Sequence, residues 1–162
     1  MLGLKDVICP EACAGCCRIA RGGLCRTCLE EMPRISGAVC RCCGRPLDRP
    51  AASCIDCRSR NFRFDAARQA APFGPVLRKV VHRFKYSGGR SLAAPLCDLV
   101  LEAACGLPGT AQAVTWIPPS PERLRRTGVD HGRILAELVA GSLGKPAVAL
   151  AARTRRTRPQ MR

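Results

Sequence analysis

The sequence predicts a fold in two parts, a small metal-bound module followed by an α/β domain. Eleven of the 13 cysteines precede residue 58, in a segment with little apolar periodicity. Beyond residue 65 the pattern changes to alternating extended and helical segments. A chain of 162 residues has room for one domain and a small additional module. We therefore expect a module at 1–60, a linker at 61–65 and an α/β domain at 66–162.

Eight of the cysteines form four Cys-x-x-Cys pairs, which is the spacing of a tetrahedral metal site. The two intervening residues form a tight turn, called a knuckle here, that directs both sulfurs to one ion. Two consecutive pairs supply four sulfurs, which close the coordination shell and make the site structural. The sequence therefore predicts a double zinc ribbon with two zinc ions, one held by Cys13, Cys16, Cys25 and Cys28, the other by Cys40, Cys43, Cys54 and Cys57.

Disulfide bonds and iron centres are the alternatives for these cysteines. A disulfide framework is typical of secreted chains, but the N-terminal segment is too short and interrupted for a signal peptide. A rubredoxin-like iron centre also uses four thiolates. Two sites separated by eleven residues are more typical of paired zinc ribbons. Cys9, Cys17 and Cys42 are left outside the predicted sites.

The chain is strongly basic, with a formal net charge of +15 from 23 Arg and 4 Lys against 12 acidic residues. Eight thiolates and two zinc ions lower this charge to about +11. Such a charge favours contact with nucleic acid or other polyanions. The excess of Arg over Lys is also typical of a GC-rich genome, which weakens this inference. Because no run of about 18 apolar residues occurs, we expect no membrane insertion and a cytoplasmic protein.

The segment after residue 64 predicts a strand, two helices, a strand, a helix and a strand. Pro75 opens the first helix, Ser91 caps the second and Gly144 ends the third. This order is typical of an α/β layer with a largely parallel sheet. The strands are expected at 65–73, 113–117 and 147–150, and the helices at 75–86, 91–105 and 130–143.

A series of short motifs runs through nearly the whole chain. The first two motifs surround the cysteines, and the others lie in the predicted α/β domain. In chain order they are Leu24-Cys-x-x-Cys28 with Met32-Pro33, Cys40-x-x-Cys-Gly-Arg-Pro46, Phe64-Asp65, Phe84-Lys85-Tyr86-x-Gly-Gly89, Ile117-Pro118-Pro119, Arg123-Leu-Arg-Arg126, Gly128-Val-Asp-His131 and Arg153-Thr154 with Thr157-x-x-Gln160.

In this order and spacing the motifs resemble the ComF family of competence proteins. Members have an N-terminal double zinc ribbon followed by a type I phosphoribosyltransferase-like domain. The resemblance implies a role in DNA uptake, with nucleic acid, single-stranded DNA in particular, and other proteins of the uptake machinery as partners. It also implies that a full-length relative uses Mg²⁺ and phosphoribosyl pyrophosphate.

Two further sets of residues are candidates. The resemblance assigns a pyrophosphate loop. For the arginine-rich arm two hypotheses stand equally, contact with nucleic-acid phosphates and disorder of the end of an incomplete domain. The loop departs from the family pattern, because Thr127 stands in place of Arg and Asp130-His131 stands where Asn-Gln is commoner. The loop set is Pro118, Pro119, Arg123, Arg126, Gly128, Asp130 and His131, and the arm set is Arg153, Arg155, Arg156 and Arg158.

One family motif is missing from the chain. Type I phosphoribosyltransferases bind the ribose hydroxyls with two adjacent acids, and a following Thr/Gly-rich turn binds the 5′-phosphate. The only adjacent acids here are Glu30 and Glu31, in the cysteine-rich module and followed by Met-Pro-Arg. In the family this motif would follow Gln160. We therefore expect a fragment that lacks the catalytic third and is inactive by itself.

Three functions follow as hypotheses. The first is a ComF-like protein of DNA uptake, the second is a stand-alone zinc-ribbon module that binds nucleic acid, and the third is a zinc-ribbon scaffold for docking proteins. The motifs after residue 64 favour the first hypothesis. The basic charge near the cysteines favours the second over the third.

Overall fold

The computed structural model describes residues 10–60, 62–107 and 109–154. The chain divides into two compact units, one ending at Thr110 and the other beginning at Ala111. Within the described ranges the β-structure consists of three isolated bridges. Two 3₁₀ helices, Arg21–Gly23 and Arg90–Leu92, accompany the α-helices α1 (Arg26–Glu30), α2 (Ile55–Ser59), α3 (Pro75–Tyr86), α4 (Ala93–Ala104), α5 (Pro121–Thr127) and α6 (His131–Leu143).

The cysteine-rich segment repeats one local fold, in a first ribbon (12–30) and a second ribbon (39–59). An antiparallel bridge surrounds the first knuckle of each ribbon, pairing Ala12 with Ile19 and Val39 with Pro46. In both ribbons the amide of the first cysteine donates to the carbonyl five residues later, at 2.7 and 2.8 Å. A short helix follows the third cysteine, α1 in the first ribbon and α2 in the second. The structure therefore contains an internal repeat.

The residue after the second cysteine of each ribbon has a left-handed backbone. It is Cys17 in the first ribbon, with φ of 63°, and Gly44 in the second, with φ of 71°. A Cβ atom at Gly44 would lie 2.7 Å from the carbonyl oxygen of Ala67. Cys17, by contrast, is exposed. The second ribbon therefore requires glycine at this position, whereas the first accommodates a side chain.

The segment predicted as a strand at 65–73 forms no strand, so this prediction is wrong. The segment contacts the second ribbon instead, where the Ala67 amide donates to the Cys42 carbonyl at 2.6 Å. The Arg68 guanidinium also donates to the Arg41 carbonyl at 2.9 Å. Alanine is a weak strand former, and backbone groups that already have partners do not need a neighbouring strand.

The helix predicted at 75–86 is confirmed, since α3 has these bounds and begins with Pro75. The helix predicted at 91–105 exists as α4, but it begins at Ala93 after the 3₁₀ helix. The prediction that Ser91 caps this helix is wrong. Its hydroxyl donates instead to the carboxylate of Glu11, which lies 80 residues earlier in the chain.

The first ribbon packs against the helices of the same unit. The Arg83 guanidinium on α3 donates to the Ala12 carbonyl at 2.8 Å. Arg34, which follows the first ribbon, pairs with Glu102 on α4 at 2.9 Å. The buried interior of this unit consists of apolar side chains from the cysteine-rich segment and from the helices. They include Leu24, Met32, Val80, Phe84, Leu92, Leu96 and Leu99. The predicted boundaries at 60 and 66 stay a prediction.

The second unit contains one of the predicted helices, and two of the predicted strands form only an isolated β-bridge instead of a regular strand pair. Helix α6 begins after Asp130, whose carboxylate accepts the Arg133 amide, and it ends at Gly144 with φ of 61°. The segments 113–117 and 147–150 form one parallel bridge, between Val114 and Ala147, and the Leu150 amide donates to the Thr115 hydroxyl at 3.4 Å. A parallel pair is therefore present here, but the predicted sheet is not formed by the described residues.

Helix α5 was not predicted. Its first turn carries a complete start signal, because the Ser120 hydroxyl accepts the Arg123 amide and Pro121 is the first helical residue. Gly128 ends the helix with φ of 65°. Across the described ranges, each helix is too short or too polar to cross a membrane.

Substitution of Gly44 by Ala tests the geometry of the second ribbon. We expect Gly44→Ala to lower the free energy of unfolding by about 2 kcal/mol or more. The new methyl group meets the Ala67 carbonyl, and a left-handed backbone costs an L-residue roughly 1–2 kcal/mol. Chemical denaturation of the zinc-loaded protein gives the measurement.

Cys17→Ala is the matched control, since this position already carries a side chain at the same backbone conformation. Its effect should stay within about 0.5 kcal/mol, as is usual for exposed positions. Equal destabilisation by the two substitutions would contradict the assigned geometry.

Candidate metal centres

The eight cysteines predicted as ligands form two clusters, one in each ribbon. Within each cluster the four Sγ atoms lie within 4.8 Å of one another. The Sγ atoms of Cys16 and Cys25 are 3.7 Å apart, as are those of Cys43 and Cys54. A tetrahedral ion with Zn–S bonds of about 2.3 Å places its sulfurs about 3.8 Å apart, whereas a disulfide requires about 2.05 Å. Both clusters therefore fit a metal site.

Backbone amides surround the first sulfur of each cluster. Cys13 Sγ accepts hydrogen bonds from the amides of Gly15 and Cys25, both at 3.3 Å. In the second ribbon, Cys40 Sγ accepts the amide of Cys54 at the same distance. Such bonds stabilise a negatively charged sulfur. In both ribbons the backbone amides therefore stabilise the thiolate form of the first cysteine.

Hydrogen bonding and burial shift the thiol pKa values in opposite directions. The Arg18 guanidinium, 3.4 Å from Cys16 Sγ, lowers the pKa of Cys16 to about 6. Backbone amides, that of Cys43 first, lower the pKa of Cys40 to about 6. Burial raises the pKa of Cys28 to about 12. Each ribbon therefore contains a thiol that ionises readily, and the first also contains one that resists ionisation.

Four thiols at this separation cannot all ionise without a compensating positive charge. Burial raises the pKa of Cys57 as well, so the second cluster also contains a thiol that retains its proton. A divalent cation reverses this preference, because metal ligation deprotonates a thiol. The donor set of four soft sulfurs suits zinc, and a complete shell leaves no position for water. Both sites are therefore structural.

Arg18 is a site residue that the sequence analysis missed. It lies five residues after the first cysteine of its ribbon, and Arg45 occupies the same position in the second ribbon. Arg18 bonds a ligand thiol, whereas Arg45 pairs with Asp56 on α2. The shared Cys-x-x-x-x-Arg spacing was the available signal, but it does not reveal that the two arginines have different partners.

The three cysteines left outside the predicted sites have separate positions. Cys17 is exposed and Cys42 is half-buried, and neither belongs to a cluster. Cys9 lies outside the described residues.

The candidate pyrophosphate loop contains a helix. Pro118 and Pro119 are half-buried and precede α5, which carries Arg123 and Arg126. Gly128 ends this helix. The guanidinium groups of the loop set are therefore presented by a helical turn rather than by an extended loop.

The last two residues of the candidate loop begin α6. Asp130 caps the helix through the Arg133 amide at 3.0 Å, and its other carboxylate oxygen accepts the Trp116 Nε1 proton at 3.0 Å. His131 is the first residue of α6 and is half-buried. The Asp130 carboxylate has a structural role here, and anion binding by this set stays a prediction.

The candidate nucleic-acid arm is described only at its beginning. Arg153 is exposed. Arg155, Arg156 and Arg158 lie outside the described residues.

Comparison with known families agrees with the geometry of the clusters. The sequence model of the double zinc ribbon domain matches residues 4–58. This range contains all eight clustered cysteines. Residues 4–58 are therefore a double zinc ribbon domain with two four-cysteine sites. Neither a curated protein nor a solved structure matches the chain.

The purified protein should contain two zinc ions per chain, measured by elemental analysis. Cys25→Ser should remove the ion of the first ribbon, and Cys54→Ser that of the second, because three remaining thiolates leave an open shell. Cys17→Ser is the control and should retain both ions. Retention of two ions by both ligand variants would contradict the assignment.

Proposed function

We propose that this chain is a ComF-like protein associated with competence and DNA uptake, and that it binds nucleic acid, single-stranded DNA in particular. The zinc ribbon domain would serve as a structural scaffold, because its closed sulfur shells offer no position for a substrate. The motif order described above supports the likeness to the ComF family.

The distribution of charge is the observation that carries this proposal. No acidic residue occurs between Asp65 and Asp98, the segment that directly follows the zinc ribbon domain. The same segment contains six basic residues. Positive charge that is not offset by neighbouring carboxylates favours phosphate contacts. These residues are Arg68, Arg78, Lys79, Arg83, Lys85 and Arg90.

Protein docking is a second candidate function, favoured by two exposed aliphatic side chains of the ribbons. Ile19 and Ile55 have exposed fractions of 74% and 80%. Such side chains suit an apolar protein partner, and other proteins of the uptake machinery are the partners that the family resemblance suggests. If Ile19→Ser and Ile55→Ser leave the affinity for nucleic acid unchanged, these two side chains take no part in nucleic-acid binding, and the two functions use different surfaces.

The zinc-loaded protein should bind single-stranded oligonucleotides with little sequence preference and a steep salt dependence. Arginine and lysine contact phosphates, so log affinity should fall linearly with log salt by about 0.7 per neutralised phosphate. Fluorescence anisotropy with labelled oligonucleotides between about 50 and 200 mM salt gives the slope. Affinity independent of salt, or a strong preference for one sequence, would argue against the proposal.

Residues 1–162 should transfer no phosphoribosyl group. The reaction requires the donor to be positioned through its ribose hydroxyls and 5′-phosphate, usually with a divalent metal. The adjacent acids Glu30 and Glu31 lie at the end of α1, within the zinc ribbon domain. Calorimetry with phosphoribosyl pyrophosphate and Mg²⁺ should show no saturable heat. Saturable, magnesium-dependent binding would overturn this expectation.

A further inference from the structure

Helix α3 is held against the first ribbon by two of its basic side chains. Arg83 donates to the Ala12 carbonyl at 2.8 Å, and the Lys79 ammonium donates to the Gly15 carbonyl at 3.4 Å. These contacts fix the rotation of the helix about its axis. Residues 78, 82, 85 and 86 are neighbours of one another on the adjoining side, because helical positions three or four residues apart are neighbours, and Tyr86 borders Lys79 and Arg83. All four are exposed.

This adjoining side of the helix, together with Phe73 two residues before the helix begins, forms what we call the basic–aromatic face. Its members are exposed, with exposed fractions of 61% for Phe73 and 50% for Tyr86. Positions 78 to 86 extend over about 12 Å of helix. The face consists of Phe73, Arg78, His82, Lys85 and Tyr86.

Rings and cations are in contact along this face. The Arg78 guanidinium carbon lies 5.6 Å from the centre of the Phe73 ring, which is a cation–π distance. The His82 and Tyr86 ring centres are 4.9 Å apart. Helix α3 contains no acidic residue. The face therefore offers planar rings and positive charge side by side.

We propose that the basic–aromatic face binds single-stranded nucleic acid, an inference that rests on the proposed function. Bases stack on Phe73 and Tyr86, while Arg78 and Lys85 contact the phosphates. This pairing of aromatic rings with a positively charged track is the general chemistry of single-strand binding. A duplex keeps its bases stacked inside, and an acidic peptide has no bases to stack. Positive charge would attract all three ligands, but the exposed rings favour the single strand.

The test uses the full zinc-loaded chain and a fluorescein-labelled oligothymidine of about 20 nucleotides, a length that exceeds typical site sizes. Phe73→Leu and Tyr86→Leu keep apolar bulk and remove the rings. We expect each to weaken binding at least roughly fivefold, since a stacked base contributes about that much or more. The salt slope should stay unchanged, because no phosphate contact is lost.

The charge variant provides an independent readout. Arg78→Gln combined with Lys85→Gln should reduce the slope of log affinity against log salt by about 1.4, the value for two phosphates of a single strand. Arg26→Gln with Arg49→Gln removes the same charge from exposed positions of the zinc ribbon domain. This control should leave the slope within about 0.3 of the parent value.

Phe64→Leu is the control for the rings, because Phe64 is an exposed aromatic residue outside the face. Its ring centre lies 5.0 Å from that of Phe62. It should leave binding within about twofold of the parent protein. Two zinc ions per chain in every variant would show that the ribbons remain folded. The ring substitutions are made singly, so that one of them can report if the other disturbs folding.

The outcomes separate this inference from the proposed function. If the parent protein binds no single strand, both fail. If the parent binds but Phe73→Leu and Tyr86→Leu bind equally well, the basic–aromatic face is wrong and the proposed function stands. If a duplex of the same length binds as tightly as the single strand and only the charge variant weakens binding, the face is a general polyanion surface, and the proposal is overturned.

Discussion

Coordination of sulfur by metal is the interaction on which the rest of the first unit depends. Apart from cysteines, Leu24 is the only large apolar side chain that the described residues of the two ribbons bury. A segment with so small a core gains its folding free energy from metal binding. The carbonyls of Ala12 and Gly15, which anchor α3, belong to the first knuckle and its approach. The position of the helix therefore depends on a turn that the metal stabilises.

The two ribbons repeat one fold but have different neighbours. In the first, Gly15 lies close enough to α3 that an added Cβ would be 3.3 Å from Val76. In the second, Gly44 lies against the backbone at Ala67, in the chain that leads to the helices. The duplication thus supplies two similar metal-stabilised surfaces, one for a helix and one for an extended segment. Both surfaces belong to the compact unit that ends at Thr110.

The sequence predicted the features that depend on residues close together in the chain, namely the metal clusters and two of the helices. The cysteine spacing identified both metal clusters, and helices α3 and α6 followed from apolar periodicity with Pro75 and Gly144 at their ends. The failures involve partners distant in sequence. Ser91 bonds Glu11 rather than capping a helix, and the segment at 65–73 bonds a ribbon rather than a strand. The pattern at 65–73 predicts a strand and therefore gives no signal of the contact between the Phe73 ring and Arg78 on α3.

The contacts between α3 and the first ribbon restrict the choice of amino acid more on the helix than on the ribbon. Both end on carbonyl oxygens, which every amino acid possesses. The contact therefore requires no particular side chain at Ala12 in the ribbon. On the helix it requires a long, positively charged side chain, that of Arg83. Gly15 is limited for another reason, since a Cβ there would be 2.7 Å from the Cys28 sulfur. Over evolutionary time, the residue at Ala12 can drift while the helix keeps its orientation on the metal site.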